Sequence, residues 1–210
     1  MINIYPASHK IIASCLASEF RKIYGVNLDE TMIKWGSISP DYLPYYKLKR
    51  HYIEESLPFI AKEICSLILV YRCLNIQKLK PGLLKYFSKK IGVISHYLSD
   101  YTCYPHMKRQ TFYSNFKEHV IYEKNLEKFS ISYRPKKIEL SSNIIDYTSS
   151  ESRMLDQIMN LINDIVEEYK NSNHSYANDL DYAYSLSLTI GDYIMQNILY
   201  CSLGNLAMAG

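Results

Sequence analysis

Residues 82–106 read GLLKYFSKKIGVISHYLSDYTCYPH, and the spacing of a few side chains within them organises the rest of the chain. His96 and Asp100 stand four residues apart, so on a helix they lie one above the other on one face. A single helix then presents an imidazole and a carboxylate to the same point. Gly92, one turn earlier on that stripe, removes a side chain that would crowd the point and suits close approach of an ion or a neighbouring backbone. Pro81 fits a first helical position. Pro105 is expected to stop regular helix and leave His106 in a turn that folds back over the helix end. A second His-x3-acid pair, His119 and Glu123, follows directly.

Outward from this stretch the periodicity is helical almost throughout. Ser8 is expected to cap a helix that starts at His9, repeats Ile12, Leu16, Phe20 and Ile23 at helical spacing and ends at Gly25. Residues 36–46, GSISPDYLPYY, carry two prolines, a glycine and two serines and read as a loop with Asp41 at its centre. From Lys49 to Ile76 the pattern is helical and strongly apolar, with Pro58 predicting a kink or two abutting helices. Residues 111–128 read as a shorter amphipathic helix, 129–149 as a long loop or small hairpin, and 150–171 and 177–203 as two final helices. The expectation is a single all-α domain over residues 1–210, a multi-helix bundle.

Composition narrows the class of protein. With 210 residues and 48% hydrophobic content the chain can bury a substantial core. Its longest apolar run, ICSLILVY at 64–71, is far below the ~20 residues a membrane span requires, and no secretory pattern opens the chain, so no transmembrane segment is expected. Five unpaired cysteines point to reduced thiols and a cytoplasmic location, with Cys15, Cys65 and Cys201 as small core residues. A net charge of +3 is too mild to imply stable nucleic-acid binding.

A lone His-x3-acid pair is more often an ordinary hydrogen-bonded surface pair than a site. The ordered series carries more weight. Five of the six histidines, with Asp41, Asp100 and Glu123, fall in the pattern H-x31-D-x9-H-x44-H-x3-D-x5-H-x12-H-x3-E. This order resembles the zinc-dependent phospholipase C family, including its uncharacterised cytoplasmic members. The matching segments are SHKIIA at 8–13, GSISPD at 36–41, His51, GVISHYLSD at 92–100 with Pro105 and His106, and HVIYE at 119–123.

The resemblance implies an all-helical fold with the metal centre between buried helices and a zinc-activated phosphodiesterase chemistry. Carried over residue by residue, one zinc takes Asp41, His51, His96 and Asp100, and a second takes His106, His119 and Glu123. In the family a third zinc shares the bridging aspartate, here Asp100, and takes the early histidine, here His9, together with the amino group and carbonyl of an N-terminal tryptophan. This chain departs from that pattern, because eight residues precede His9. Two tightly held Zn2+ ions are therefore expected, with the third position filled only once a phosphate ligand arrives.

The donor types suit this chemistry on their own account. Zinc favours imidazole and carboxylate, and three protein ligands leave a position open. Paired cations can bind both free oxygens of a phosphodiester, bring a water pKa toward ~7 and stabilise the leaving alkoxide. Asp41 is read either as a ligand or as the general base. The substrate is expected to be a phosphate ester, with phospholipid as one form. In the lipid-cleaving members the choline group is held by an early acid, a tyrosine after the loop aspartate and a phenylalanine three before the second histidine. Tyr42 matches the tyrosine as a candidate substrate-binding residue. Leu48 replaces the phenylalanine, and no acid precedes Glu19. The alternatives are a phosphodiesterase like the single-strand nucleases with a similar three-zinc centre, a structural metalloprotein, and a binding module with a tyrosine-rich mouth.

Overall fold

The structure, a computed structural model, describes residues 6–109, 116–141 and 150–208, the side chains of Lys47 and residues 201–208 excepted. The described residues form ten α-helices and one short 3-10 turn, with no strand. The all-α expectation holds.

Helix α1 (Ala7–Tyr24) starts earlier than the sequence suggests. Pro6, whose ring restricts φ, occupies the capping position without a side-chain hydrogen bond, so Ser8 lies inside the first turn and is not the cap. Gly25 ends the helix in the left-handed conformation at φ 67°, as expected for a glycine just past a helix end. Helix α2 (Glu30–Gly36) is capped by Asp29, whose carboxylate accepts from the Met32 amide. The stretch read as a loop instead contains two single turns, α3 (Ser39–Tyr42) and α4 (Pro44–Lys47), because its prolines sit where a first helical turn accepts them.

Helix α5 (Ile53–Tyr71) is one element with Pro58 inside it, not two abutting helices. Helix α6 (Pro81–Tyr101) begins at Pro81 as predicted and is buried at every residue from Ile91 to Tyr101. It ends at Tyr101, before Pro105, which instead lies in the next single turn, α7 (Tyr104–Met107). Helix α8 (Phe116–Ser132) runs four residues further than expected; its expected start at 111 lies outside the described residues. Residues 133–140 then run without helix or strand, and the rest of the proposed hairpin, 142–149, lies outside the described residues. Helices α9 (Glu151–Lys170) and α10 (Tyr176–Met208) close the bundle.

α6 is the central element, packed against α1, α2, α5 and α10, while α9 covers α5 and α8 lies on α1 and α10. The tightest of these contacts joins α2 to α6. A Cβ on Gly92 would stand 2.2 Å from the Ile33 carbonyl oxygen, and one on Gly36 would stand 2.2 Å from the Lys89 carbonyl oxygen. The two backbones therefore touch directly. Gly92 serves the second of the two purposes its position suggested, approach of a neighbouring backbone. Cys65 is buried and Cys15 partly so, in line with core thiols, while the side chain of Cys201 lies outside the described part.

The contact makes a prediction. Gly92→Ala forces backbone against backbone and should destabilise the fold by about 2–3 kcal/mol or more, read as a lowered melting temperature. Gly82→Ala, in the same helix but with nothing within 4 Å of the added Cβ, should leave it unchanged or slightly higher.

Candidate metal centre

The close approach of α2 to α6 sets the first imidazole. Ser37, the residue after α2, accepts a hydrogen bond from His96 Nδ1 through its carbonyl at 2.8 Å. One ring proton is thereby held on Nδ1, and Nε2 is left facing the carboxylates. His96 and Asp100 share one face of α6, as their spacing requires, with Nε2 lying 3.2 Å from Asp100 Oδ2. The segment after α4 brings in His51, whose Nδ1 stands 2.9 Å from the same oxygen and 3.3 Å from His96 Nε2. Asp41, at the end of α3, places Oδ1 at 3.6 Å from His96 Nε2 and 3.7 Å from His51 Nδ1.

These separations test whether an ion fits. Tetrahedral zinc with bonds of 2.0–2.1 Å holds its donor atoms about 3.3 Å apart. His51, His96 and Asp100 lie 2.9–3.3 Å apart, close to that spacing, and Asp41 stands 3.6–3.7 Å from the two imidazoles. Asp100 Oδ2 is buried and lacks an aligned hydrogen-bond donor despite its near neighbours. A buried carboxylate oxygen with imidazole nitrogens converging on it suits a cation at their centre.

The second group is built on α7 and α8. His119 and Glu123 share one face of α8, with His119 Nε2 at 2.8 Å from Glu123 Oε1, and His106 Nε2 reaches the same oxygen at 3.1 Å. Asp100 links the groups. Its Oδ1 points the other way, at 3.5 Å from His9 Nε2 and 3.9 Å from His106 Nε2. All eight residues of the series are thus gathered in one place, and the sets His51–His96–Asp100, His106–His119–Glu123 and His9–Asp41–His96 each have the proximity an ion requires.

Burial and mutual charge set the protonation. Burial disfavours charge on His96, yet the Asp100 and Asp41 carboxylates hold it up at about 9. His106 is likewise raised to about 8 by Asp100 and Glu123 against its burial. His9 behaves oppositely: burial, reinforced by the charge of His96, drives it down to about 4. Burial also opposes ionisation of the carboxylates, but imidazole neighbours keep Glu123 at about 2 and Asp100 well below its ordinary value.

A cavity of about 220 Å³ opens onto these donors. Its lining combines the donors Asp41, His51, His106, His119 and Glu123 with the apolar Ile12, Phe116, Val120, Leu126, Leu180 and Ala183. Two features escaped the sequence reading. One is the Ser37 carbonyl, which no side-chain pattern reveals. The other is Asp179 on α10, a cavity-lining carboxylate that burial raises to about 6 even though Tyr169, Tyr122 and the Tyr104 amide all donate to it. Its partners lie 10, 57 and 75 residues away, so local spacing carries no sign of it.

Other expectations divide. Tyr42 is 44% exposed, lies against Trp35 with ring centroids 6.5 Å apart, and does not line the cavity. Leu48, at the phenylalanine position of the choline pattern, is 85% exposed. Ser95 bonds back to the Gly92 carbonyl, and Tyr122 reaches Asp179, so neither supports an imidazole. Cys103 lines the cavity as a buried thiol that burial keeps protonated, and His174, the one histidine outside the series, is exposed.

A helical bundle with imidazole and carboxylate donors clustered between buried helices is the architecture of a helical metal-binding protein. The family model for zinc dependent phospholipase C matches residues 8–176, well past the 123 at which the motif resemblance ends, and the chain belongs to that family. Membership supports a zinc-dependent phosphodiesterase type of function. Comparison with curated proteins and with solved structures gave no match. Among the described residues no helix is long and apolar enough to cross a membrane.

The shifted histidines predict how the metal-free protein responds to pH. His96 and His106 hold protons in the folded state up to about 9 and 8, while in the unfolded chain they release them near 6.5. Their contribution is complete below 6.5 and is lost as pH rises through 8 and 9. His9, lowered to about 4, works the other way: its contribution is present above 6.5 and is lost as pH falls toward 4. Chelator-treated protein should therefore melt at a lower temperature at pH 9 than at pH 6.5. A flat or rising profile over that interval would contradict the assigned charges.

Proposed function

We propose that this chain is a zinc-dependent phosphodiesterase. Asp41, His51, His96 and Asp100 would hold one ion, and His106, His119 and Glu123 a second. His9 and the free side of Asp100 offer a weaker third position. When bound, zinc supplies positive charge to the free oxygens of the diester and makes water a nucleophile near neutral pH. The observation that carries the reading is that donors of both groups line an open cavity. A purely structural zinc is closed off by its ligands and needs no such space.

The chain's own groups divide the remaining work. His96, fixed by the Ser37 carbonyl, and His51 present Nε2 and Nδ1 on the side of Asp100 and Asp41, where an ion would be held. Asp41 is less buried than Asp100 and lines the cavity, so it is placed to take a proton from attacking water while the ester P–O bond breaks. The apolar residues of the lining would exclude water and accept an apolar substituent of the ester, which favours a phospholipid or a similar compact diester. Tyr42 lies outside the cavity beside Asp41, where it would meet whatever part of the substrate projects. The free thiols of Cys15, Cys65, Cys73 and Cys103 suit a reducing, cytoplasmic setting.

Zinc-loaded protein should cleave bis(p-nitrophenyl) phosphate, lose that activity to a chelator and regain it with zinc. Asp41→Asn separates the two roles of this side chain. As general base its loss should lower kcat by about 10²–10⁴ with metal content unchanged, whereas loss of bound zinc would mark it as a ligand. No turnover of any diester or monoester by metal-loaded protein would turn the reading toward a structural zinc site.

The number of ions is a separate expectation. Calorimetric titration should show two tight zinc equivalents, and a third only when inorganic phosphate is present, because His9 and one shared carboxylate are a sparse ligand set. Three equally tight equivalents without phosphate would show that another group completes the third position.

A further inference from the structure

Asp179 is 2% exposed and both of its oxygens are engaged. Tyr169 Oη donates to Oδ1 at 2.7 Å; Tyr122 Oη donates to Oδ2 at 2.8 Å, and the Tyr104 amide donates to the same atom at 3.2 Å. One carboxylate on α10 thus ties down α9, α8 and the first residue of α7. The last two elements are the ones that carry His106, His119 and Glu123. Tyr104 precedes His106 by two residues, and Tyr122 is the immediate neighbour of Glu123.

Other anchors near the ligands are few among the described residues: α8 rests on α1, where the Ala7 amide donates to Glu127 Oε1 at 3.3 Å, one turn beyond Glu123. α7 is a single turn of four residues, too short to be stable by itself. α8 has only Leu126 and Ser130 fully buried along its 17 residues. A buried carboxylate engaged by three donors is a stiff tether, since each lost bond leaves charge or a lone pair uncompensated away from water. The apolar contacts of α8 fix its position less sharply.

We infer that Asp179 is a positioning residue for the second metal group: it sets the distance between α7 and α8, and so the separation of His106 from His119 and Glu123. The inference rests on the reading of those three as zinc ligands. Asp179 itself touches none of them through any hydrogen bond and acts through the Tyr104 amide and Tyr122. It lies beyond the residues matched by the family model, in a helix that the motif series does not reach. Asp181, two residues on, supplies an internal comparison. It accepts from Tyr133 Oη at 2.9 Å and from the Lys136 amide at 2.7 Å, a tether of the same kind in the segment after α8. No residue of the series adjoins it.

The test is metal affinity in the full-length chain, measured by zinc calorimetry and by the visible spectrum of bound cobalt(II). His119→Ala first identifies which binding event belongs to the second group. Asp179→Ala removes both acceptor oxygens, so Tyr169, Tyr122 and the Tyr104 amide all lose their partner. It should weaken that event 10–100-fold and alter its cobalt spectrum, leaving the event at His51, His96 and Asp100 unchanged. Tyr122→Phe, which removes one donor and keeps the ring, should give a smaller loss in the same direction and decides the matter if Asp179→Ala does not fold. Asp181→Ala should lower the melting temperature without moving either affinity. If Asp179→Ala and Tyr122→Phe bind both ions as the wild type does, the positioning role is overturned while the zinc reading stands. If His119→Ala changes no binding event, the second metal group itself is disproved and the inference falls with it.

Discussion

The direct contact of the α2 and α6 backbones at Gly36 and Gly92 is the constraint on which the centre of this molecule depends. No residue larger than glycine fits at either position without displacing a main-chain carbonyl. Because the helices meet there, the chain leaving α2 passes the face of α6 one turn further on, and the Ser37 carbonyl arrives within hydrogen-bond distance of His96. A wider crossing would leave that imidazole free to rotate or to change tautomer. The same approach leads the chain through α3 and α4, which deliver Asp41 and then His51 to the exposed side of the pair. Packing at two glycines therefore decides ligand geometry.

Gathering this many ionisable groups between buried helices is costly unless they compensate one another. The metal-free cluster does so through charge exchange: His96 and His106 are held protonated, Asp100 and Glu123 ionised, and His9 neutral. A divalent cation would replace the imidazole protons as the source of positive charge, so metal binding and proton release are coupled here. Both oxygens of Asp100 take part, one toward His51 and His96 and the other toward His9 and His106. Neutralising Asp100 would disturb both sides of the cluster at once.

The abundance of tyrosine, 21 residues, has more than one use. Many tyrosines pack in the core, such as Tyr71 and Tyr97. Others are polar anchors whose rings are buried or partly buried while their hydroxyls meet carboxylates on α10: Tyr24 with Asp192, Tyr133 with Asp181, and Tyr122 and Tyr169 with Asp179. This chemistry fastens α10 to helices distant from it in sequence, as an apolar body with a polar tip allows.

The sequence by itself determined the helical class, the central helix with its His96–Asp100 face, and the membership of the eight-residue series. All of these rest on local periodicity or on the fixed order of ligand types, and both survive in one dimension. It misplaced the start of α1, which Pro6 caps, and missed the turns α3 and α4, where Pro40 and Pro44 sit in the first turn of short helices that a count of prolines reads as loop. Only the tertiary structure decided which neighbour Gly92 admits, which carbonyl orients His96, and that Asp179 ties together the helices around His106, His119 and Glu123. Each of these is a contact between residues ten to seventy-five positions apart with no spacing rule connecting them, and it exists only because helix packing brings those surfaces together.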